Sequence, residues 1–119
     1  MNTSAQTKIC YAAIGDSYTI GEGVKENERW PNLLAEHLNK ARIEIEIVCN
    51  PAVTGWTTQQ LIDNELPVYQ KSKPDFATLL IGVNDWVQDV SPEKFRENLR
   101  YIISEMQAAL KKKENILAA

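Results

Sequence analysis

The chain has one histidine and two cysteines in 119 residues, and each scarcity narrows the chemistry open to it. His37 is the only imidazole that could serve as a general base. Its place among apolar positions of a helical stretch reads instead as a partly buried structural residue. Cys10 falls early in one predicted strand and Cys49 late in the next. If those strands are parallel neighbours, an offset of several residues at ~3.3 Å each is too long for a disulfide. Two free, buried thiols suit a reducing compartment. There is no excess of positive charge: 13 Lys and Arg against 16 Asp and Glu leave a net charge of −3. No face for nucleic acid is therefore expected. The one basic run, Lys111-Lys112-Lys113, reads as the end of a helix, where cations complement the dipole. No apolar run is long enough to cross a bilayer. Met1 to Lys8 is polar and lacks the apolar stretch of a signal peptide, which argues for the cytoplasm. A phosphate cradle is also missing. Gly21-Glu22-Gly23 lacks the third glycine of a dinucleotide motif, and no Gly-Lys-Ser/Thr follows, so no phosphate loop supports a flavin- or nucleotide-binding reading.

What is present is ordinary for one globular domain: 44% hydrophobic and 24% charged residues, enough for a modest core. Residues 8–14 form a nearly continuous apolar run, as in a strand covered on both faces. A helix is predicted from Glu28 to Ala41, with Pro31 in its first turn. Its apolar face would carry Trp30, Leu33, Leu34, His37, Leu38 and Ala41. Residues 43–49 alternate Ile43, Ile45 and Ile47 with Glu44 and Glu46, the pattern of an edge strand. Thr57 or Thr58 caps a second helix bearing Leu61, Ile62, Glu65 and Leu66, which Pro67 ends or restarts. Phe76 to Ile81 is a third, central strand. Ser91-Pro92-Glu93 opens a last helix with Phe95, Leu99, Ile102, Ile103, Met106 and Leu110 on its buried stripe. Asn115-Ile116-Leu117 begins a fourth strand. No linker, repeat or low-complexity segment interrupts this order. Alternating strands and helices predict an α/β fold, a three-layer α/β/α arrangement on a parallel sheet with right-handed crossovers.

Three loops follow the first three strands, so all three open on one edge of the sheet, where ligands bind in such folds. The first is Gly15-Asp16-Ser17-Tyr18-Thr19. Ser17 is the candidate nucleophile, and its N–H opens the following helical turn, where an anion is favoured. The second loop contains Gly55, which can offer a backbone N–H at close approach. The third is Gly82-Val83-Asn84-Asp85, where Asn84 can offer a side-chain N–H. Donors of this kind aimed at one oxygen form an oxyanion hole. Tyr18, Trp56 and Trp86 flank these loops, either as pocket walls or as loop anchors.

In these three blocks, and in Trp30-Pro31 at the first helix, the chain resembles the SGNH, or GDSL-type, hydrolases, a family of esterases and lipases. The resemblance covers essentially the whole chain. It implies a flavodoxin-like sheet of order 2-1-3-4-5. It implies Ser17 as nucleophile, Gly55 and Asn84 as oxyanion donors beside the Ser17 N–H, and Asp16 and Asp85 as loop-shaping residues. The substrate would be a small-molecule acyl ester, with no cofactor and no metal. The turn is not the Gly-x-Ser-x-Gly elbow of the other large hydrolase fold, since position 19 is Thr19.

One block departs. The family's fourth motif, Asp-x-x-His, has no match here, so the chain reads as the N-terminal part of such a domain, ending as its fourth strand begins. A serine without its base is a poor nucleophile. Weak or no activity is expected of the chain alone, with self-association through the exposed sheet edge. The competing expectation is a non-catalytic binding or assembly module on the same fold.

Overall fold

The computed structural model describes residues 8–110, 112 and 115–118. The polar N-terminus before Lys8, together with Lys111 and Lys113 of the basic run, lies outside the described residues. The sheet contains β1 (Ile9–Gly15), β2 (Ile45–Cys49), β3 (Phe76–Leu80) and β4 (Ile116–Ala118). Its order is β2-β1-β3-β4 and every pairing is parallel. β1 is apolar along its length because helices cover both of its faces. Ala12 and Ile14 join one core with Leu61, Tyr69, Leu79 and Ile102. Tyr11 and Ala13 join another with Ala35 and Ile45. β3 has the same character for the same reason, lying between β1 and β4.

β2 is an edge strand, as its alternation predicts, with Glu44 and Glu46 exposed. The strand starts at Ile45, so Ile43 is left outside it and exposed. Opposite β1, Cys10 pairs with Glu46 and Ala12 with Cys49; both thiols are free, and they are half-buried rather than buried.

The first long helix is shorter than its spacing predicts. A 3-10 turn over Glu26–Glu28 precedes it, and α2 runs Trp30–Lys40 with Pro31 in its first turn. (α1 is the short Ser17–Ile20 helix described below.) The face turned to the core is Pro31, Leu34, Ala35 and Leu38. Leu33, His37 and Ala41 are exposed. Leu34, Ala35 and Leu38 repeat at the three- and four-residue steps of one helix face, and the histidine expected to be partly buried lies off it.

The second helical segment is continuous but irregular. Thr57 caps α3 (Thr58–Gln60), a π-helical stretch covers Leu61–Glu65, and α4 (Leu66–Ser72) follows. Pro67 sits in the first turn of α4, so it restarts the helix and does not end it. α5 (Val83–Val87) follows β3. The last helix, α6 (Pro92–Ala109), starts as its sequence predicts, with Ser91 Oγ accepting the Lys94 N–H at 3.1 Å. It ends at Ala109, ahead of the lysine run. Ile102 and Met106 are buried on it, as expected, and so is Asn98. Among the described residues no helix is long and apolar enough to cross a membrane.

Candidate active site

β1 lies between β2 and β3, so the loop carrying Ser17 is flanked by the loops carrying Gly55 and Asn84. Ser17 is the first residue of α1, and Asp16 is the cap. The Asp16 carboxylate is buried and its Oδ1 accepts the Tyr18 N–H at 3.0 Å. Burial pushes its pKa above the usual carboxylate range, against the lowering effect of that amide; the nearby Asp85 charge adds a smaller upward push. Gly21 closes α1 in the left-handed conformation, with its N–H on the Ser17 carbonyl. Ser17 is half-buried. It stands in the wall of an open cavity of about 410 Å³ shared with Tyr18, Gly21, Glu22, Arg29 and Trp30.

Hydrogen bonds fasten the second loop to its neighbours. Asn50 Nδ2 donates to the Thr19 carbonyl at 3.1 Å, tying it to α1. Asn84 Nδ2 donates to the Trp56 carbonyl at 2.9 Å, and Gln88 Nε2 to the Gly55 carbonyl at 3.0 Å, tying it to α5. Gly55 has φ +85, the left-handed region that glycine adopts without strain, and the space beside its Cα is open. Asp85 accepts twice from one residue: the Thr58 N–H at 2.9 Å and the Thr58 hydroxyl at 2.6 Å. Asn98 Nδ2 in turn donates to Thr58 Oγ1 at 3.0 Å, so a buried polar chain runs from α6 through α3 to α5.

The five residues singled out in the sequence thus lie in the segments that follow three adjacent strands. Among the described residues, neither the Ser17 N–H nor the Gly55 N–H has an acceptor in the protein. Asn84 spends one of its two amide protons on Trp56, leaving the other. Gly55 and Asn84 do not line the cavity beside Ser17. Tyr18 and Trp86 are exposed, 61% and 81%, so neither anchors its loop. No imidazole joins the group. Among the described residues no cluster of His, Cys, Asp or Glu could hold a metal ion.

Sequence reasoning missed four contributors, Asn50, Thr58, Gln88 and Asn98, whose bonds span 27 to 40 positions of the chain. It placed Glu65 on its helix without a role. Glu65 is fully buried behind the Ser17 loop, and its Oε1 accepts the Gly15 N–H at 3.2 Å. A charged residue in a stripe with Leu61 and Leu66 was the available signal.

Residues 13–118 match the profile of the GDSL-like Lipase/Acylhydrolase family. The chain belongs to this family. Among curated relatives, it is 26% identical over 96 residues to the Thioesterase 1/protease 1/lysophospholipase L1 of Escherichia coli strain K12, covering 81% of this chain and 44% of that one. Among solved structures it is similar to AlinE4, an SGNH-hydrolase family esterase. The TM-score is 0.81 with 29% identity, over 97% of this chain and 60% of that one. TesA gives a TM-score of 0.80 at 22% identity, over 92% of this chain and 58% of that one, a likeness of fold. This member of the GDSL-like family therefore spans less than half the length of its curated relative and about three fifths of the solved ones. Its fold is the parallel α/β sheet of the SGNH hydrolases, and the sequence-based resemblance and fold class hold.

Proposed function

We propose that this chain carries the nucleophile and oxyanion half of an acyl-ester hydrolase site. Ser17 Oγ attacks the ester carbonyl carbon. The Ser17 N–H, the Gly55 N–H and Asn84 Nδ2 take the oxygen as it becomes negative. The tetrahedral intermediate then expels the alcohol, and water releases the acid from Ser17. The observation that carries this reading is the Asn84–Trp56 bond, which fastens the Asn84 amide to the Gly55 loop beside the Ser17 turn. Asp16 and Asp85 shape the loops; each accepts backbone or hydroxyl protons in place. Small acyl esters are the substrate class, by analogy with the esterases of this family.

The Ser17 proton needs an acceptor. His37, the one histidine, is exposed on α2. Without a base the hydroxyl stays protonated and only the binding and oxyanion contribution remains. Slow turnover is therefore expected of these 119 residues. The same observation favours a second reading, a binding or assembly module that keeps the cleft and does no chemistry. p-Nitrophenyl acetate hydrolysis by the chain and by Ser17→Ala separates the two. A rate lost in the variant supports the hydrolase, whereas equal rates in both support the module.

We also infer self-association through the outer edge of β4, where Leu117 is 59% exposed. Light scattering coupled to size exclusion tests it. A dimer or larger species is expected, and a monomer at high concentration refutes it.

A further inference from the structure

Behind the Ser17 turn lies a carboxyl group for which the hydrolysis scheme has no use. Glu65 is completely buried at the end of the π-helical stretch Leu61–Glu65, where the Leu66 N–H reaches back to the Leu61 carbonyl. Such widened turns are rare and concentrate at functional sites. Glu65 Oε1 accepts the Gly15 N–H at 3.2 Å, while Oε2 has no partner among the described residues. A second buried oxygen without a partner among the described residues, Thr19 Oγ1, is packed against the same glycine: it would lie 2.3 Å from a Cβ placed on Gly15. Two unsatisfied oxygens therefore surround the residue two positions before Ser17. We propose that Glu65 is a positioning residue for the Ser17 turn, holding the Gly15 amide as a neutral acid, and that ionisation of Glu65 displaces that turn.

The charges facing it set the direction. Asp16 follows Gly15 and disfavours a second negative charge. Cys49 on β2 interacts with the Glu65 charge, Tyr69 on α4 with that of Cys49, and Asp85 on α5 with that of Asp16. Every one of these groups is neutral or negative, and no cation is among them. Burial does most of the work, raising the Glu65 pKa to about 8. An ionised Glu65 would be a buried charge beside a carboxylate, relieved only by admitting water or moving the turn.

The inference touches the proposed reaction only through its consequence for Ser17, and its test does not need turnover. Amide NMR spectra of the full chain are recorded from about pH 5 to about pH 9.5, spanning the ordinary and raised carboxyl ranges. The Gly15, Asp16 and Ser17 resonances should shift together with a midpoint near pH 8. Glu65→Gln, which keeps a carbonyl for the Gly15 N–H, should abolish the shift, and Cys49→Ala should retain it. Amides that do not move, or a titration that persists in Glu65→Gln, would overturn the proposal. If Glu65→Gln does not fold, the Glu65 carboxyl carbon resonance in the unaltered chain decides: a midpoint in the ordinary glutamate range overturns it. Where Ser17-dependent hydrolysis is measurable, its rate should follow the same titration. A flat rate profile with shifting amides would count against the hydrolase reading and leave the positioning role standing.

Discussion

Thr58 and Asp85, 27 residues apart, are joined twice: the Thr58 amide and hydroxyl both donate to the one carboxylate, at 2.9 and 2.6 Å. Both residues are buried, so water cannot replace what either loses. Bonds to a charged acceptor contribute about 1.5–3 kcal/mol each, and an orphaned buried donor costs a similar amount. Asp85→Ala should therefore destabilise the chain by roughly 3 kcal/mol or more. Thr58→Val should cost less, because the backbone bond survives, although Asn98 also loses its acceptor. Urea denaturation of the two variants and the double variant checks this. Additive losses would show that the pair is not coupled.

Two glycines of the site should lose stability by unequal amounts when replaced by alanine. A Cβ on Gly15 would lie 2.3 Å from Thr19 Oγ1 and 2.5 Å from the Leu80 carbonyl oxygen, and the latter is fixed in β3. Gly15→Ala must push the Ser17 turn off the sheet. A loss of about 3 kcal/mol is expected, the upper end for overpacked cores. Gly55 meets nothing within 4 Å, so Gly55→Ala carries only the strain of a positive φ, about 1–2 kcal/mol. Thermal unfolding of both variants tests the order, and equal losses would contradict it.

Asn84 and Gln88 both donate to the Gly55–Trp56 loop, but only Asn84 is assigned to the oxyanion. Each alanine variant should lose about 1 kcal/mol of stability. The Ser17-dependent esterase rate should fall roughly 10²-fold or more in Asn84→Ala, as for removal of one oxyanion donor. In Gln88→Ala it should fall only a few-fold. Rates are taken as the difference from Ser17→Ala, and a similar fall in both variants would reduce Asn84 to a loop clamp.

Much of this architecture was legible locally. The nearly continuous apolar runs at Ile9–Ile14 and Phe76–Ile81 pointed to burial on both faces, and Ser91-Pro92-Glu93 marked a helix start. Helical spacing put Trp30, Leu33, Leu34, His37, Leu38 and Ala41 on one face of α2, an arc wider than the one that packs; only contact with β1 and β2 narrows it to Pro31, Leu34, Ala35 and Leu38. The π-helical stretch was not legible at all, since no local pattern encodes a hydrogen bond five residues back. The bonds that join the site's loops are non-local: Thr58 to Asp85, Asn98 to Thr58 and Asn50 to Thr19 each depend on the sheet having formed. Residue types and their places after strands revealed the candidate residues. Their partners needed the fold.

The Glu65 carboxyl makes stability depend on pH in a direction opposite to that of a salt-bridged acid. Its pKa is about 8 in the folded chain against 4.5 for the unperturbed group. Between those values the unfolded chain has released the proton and the folded chain keeps it. Stability therefore falls as pH rises, by up to roughly 1.4 kcal/mol per pH unit. The contribution is fully present below about pH 4.5 and gone above about pH 8. Asp16, also raised by burial, contributes with the same sign. The Cys49 thiol and the Tyr69 phenol are raised as well, and their contributions are lost only in more alkaline solution. Urea midpoints measured from about pH 5 to about pH 8.5 should decline steadily in the unaltered chain and much less in Glu65→Gln, which has no proton to lose. The two curves should converge towards low pH, where Glu65 is neutral and carries a hydroxyl where glutamine carries an NH2. Parallel curves over the whole range would place the titrating group elsewhere, with Asp16 the first to examine through Asp16→Asn.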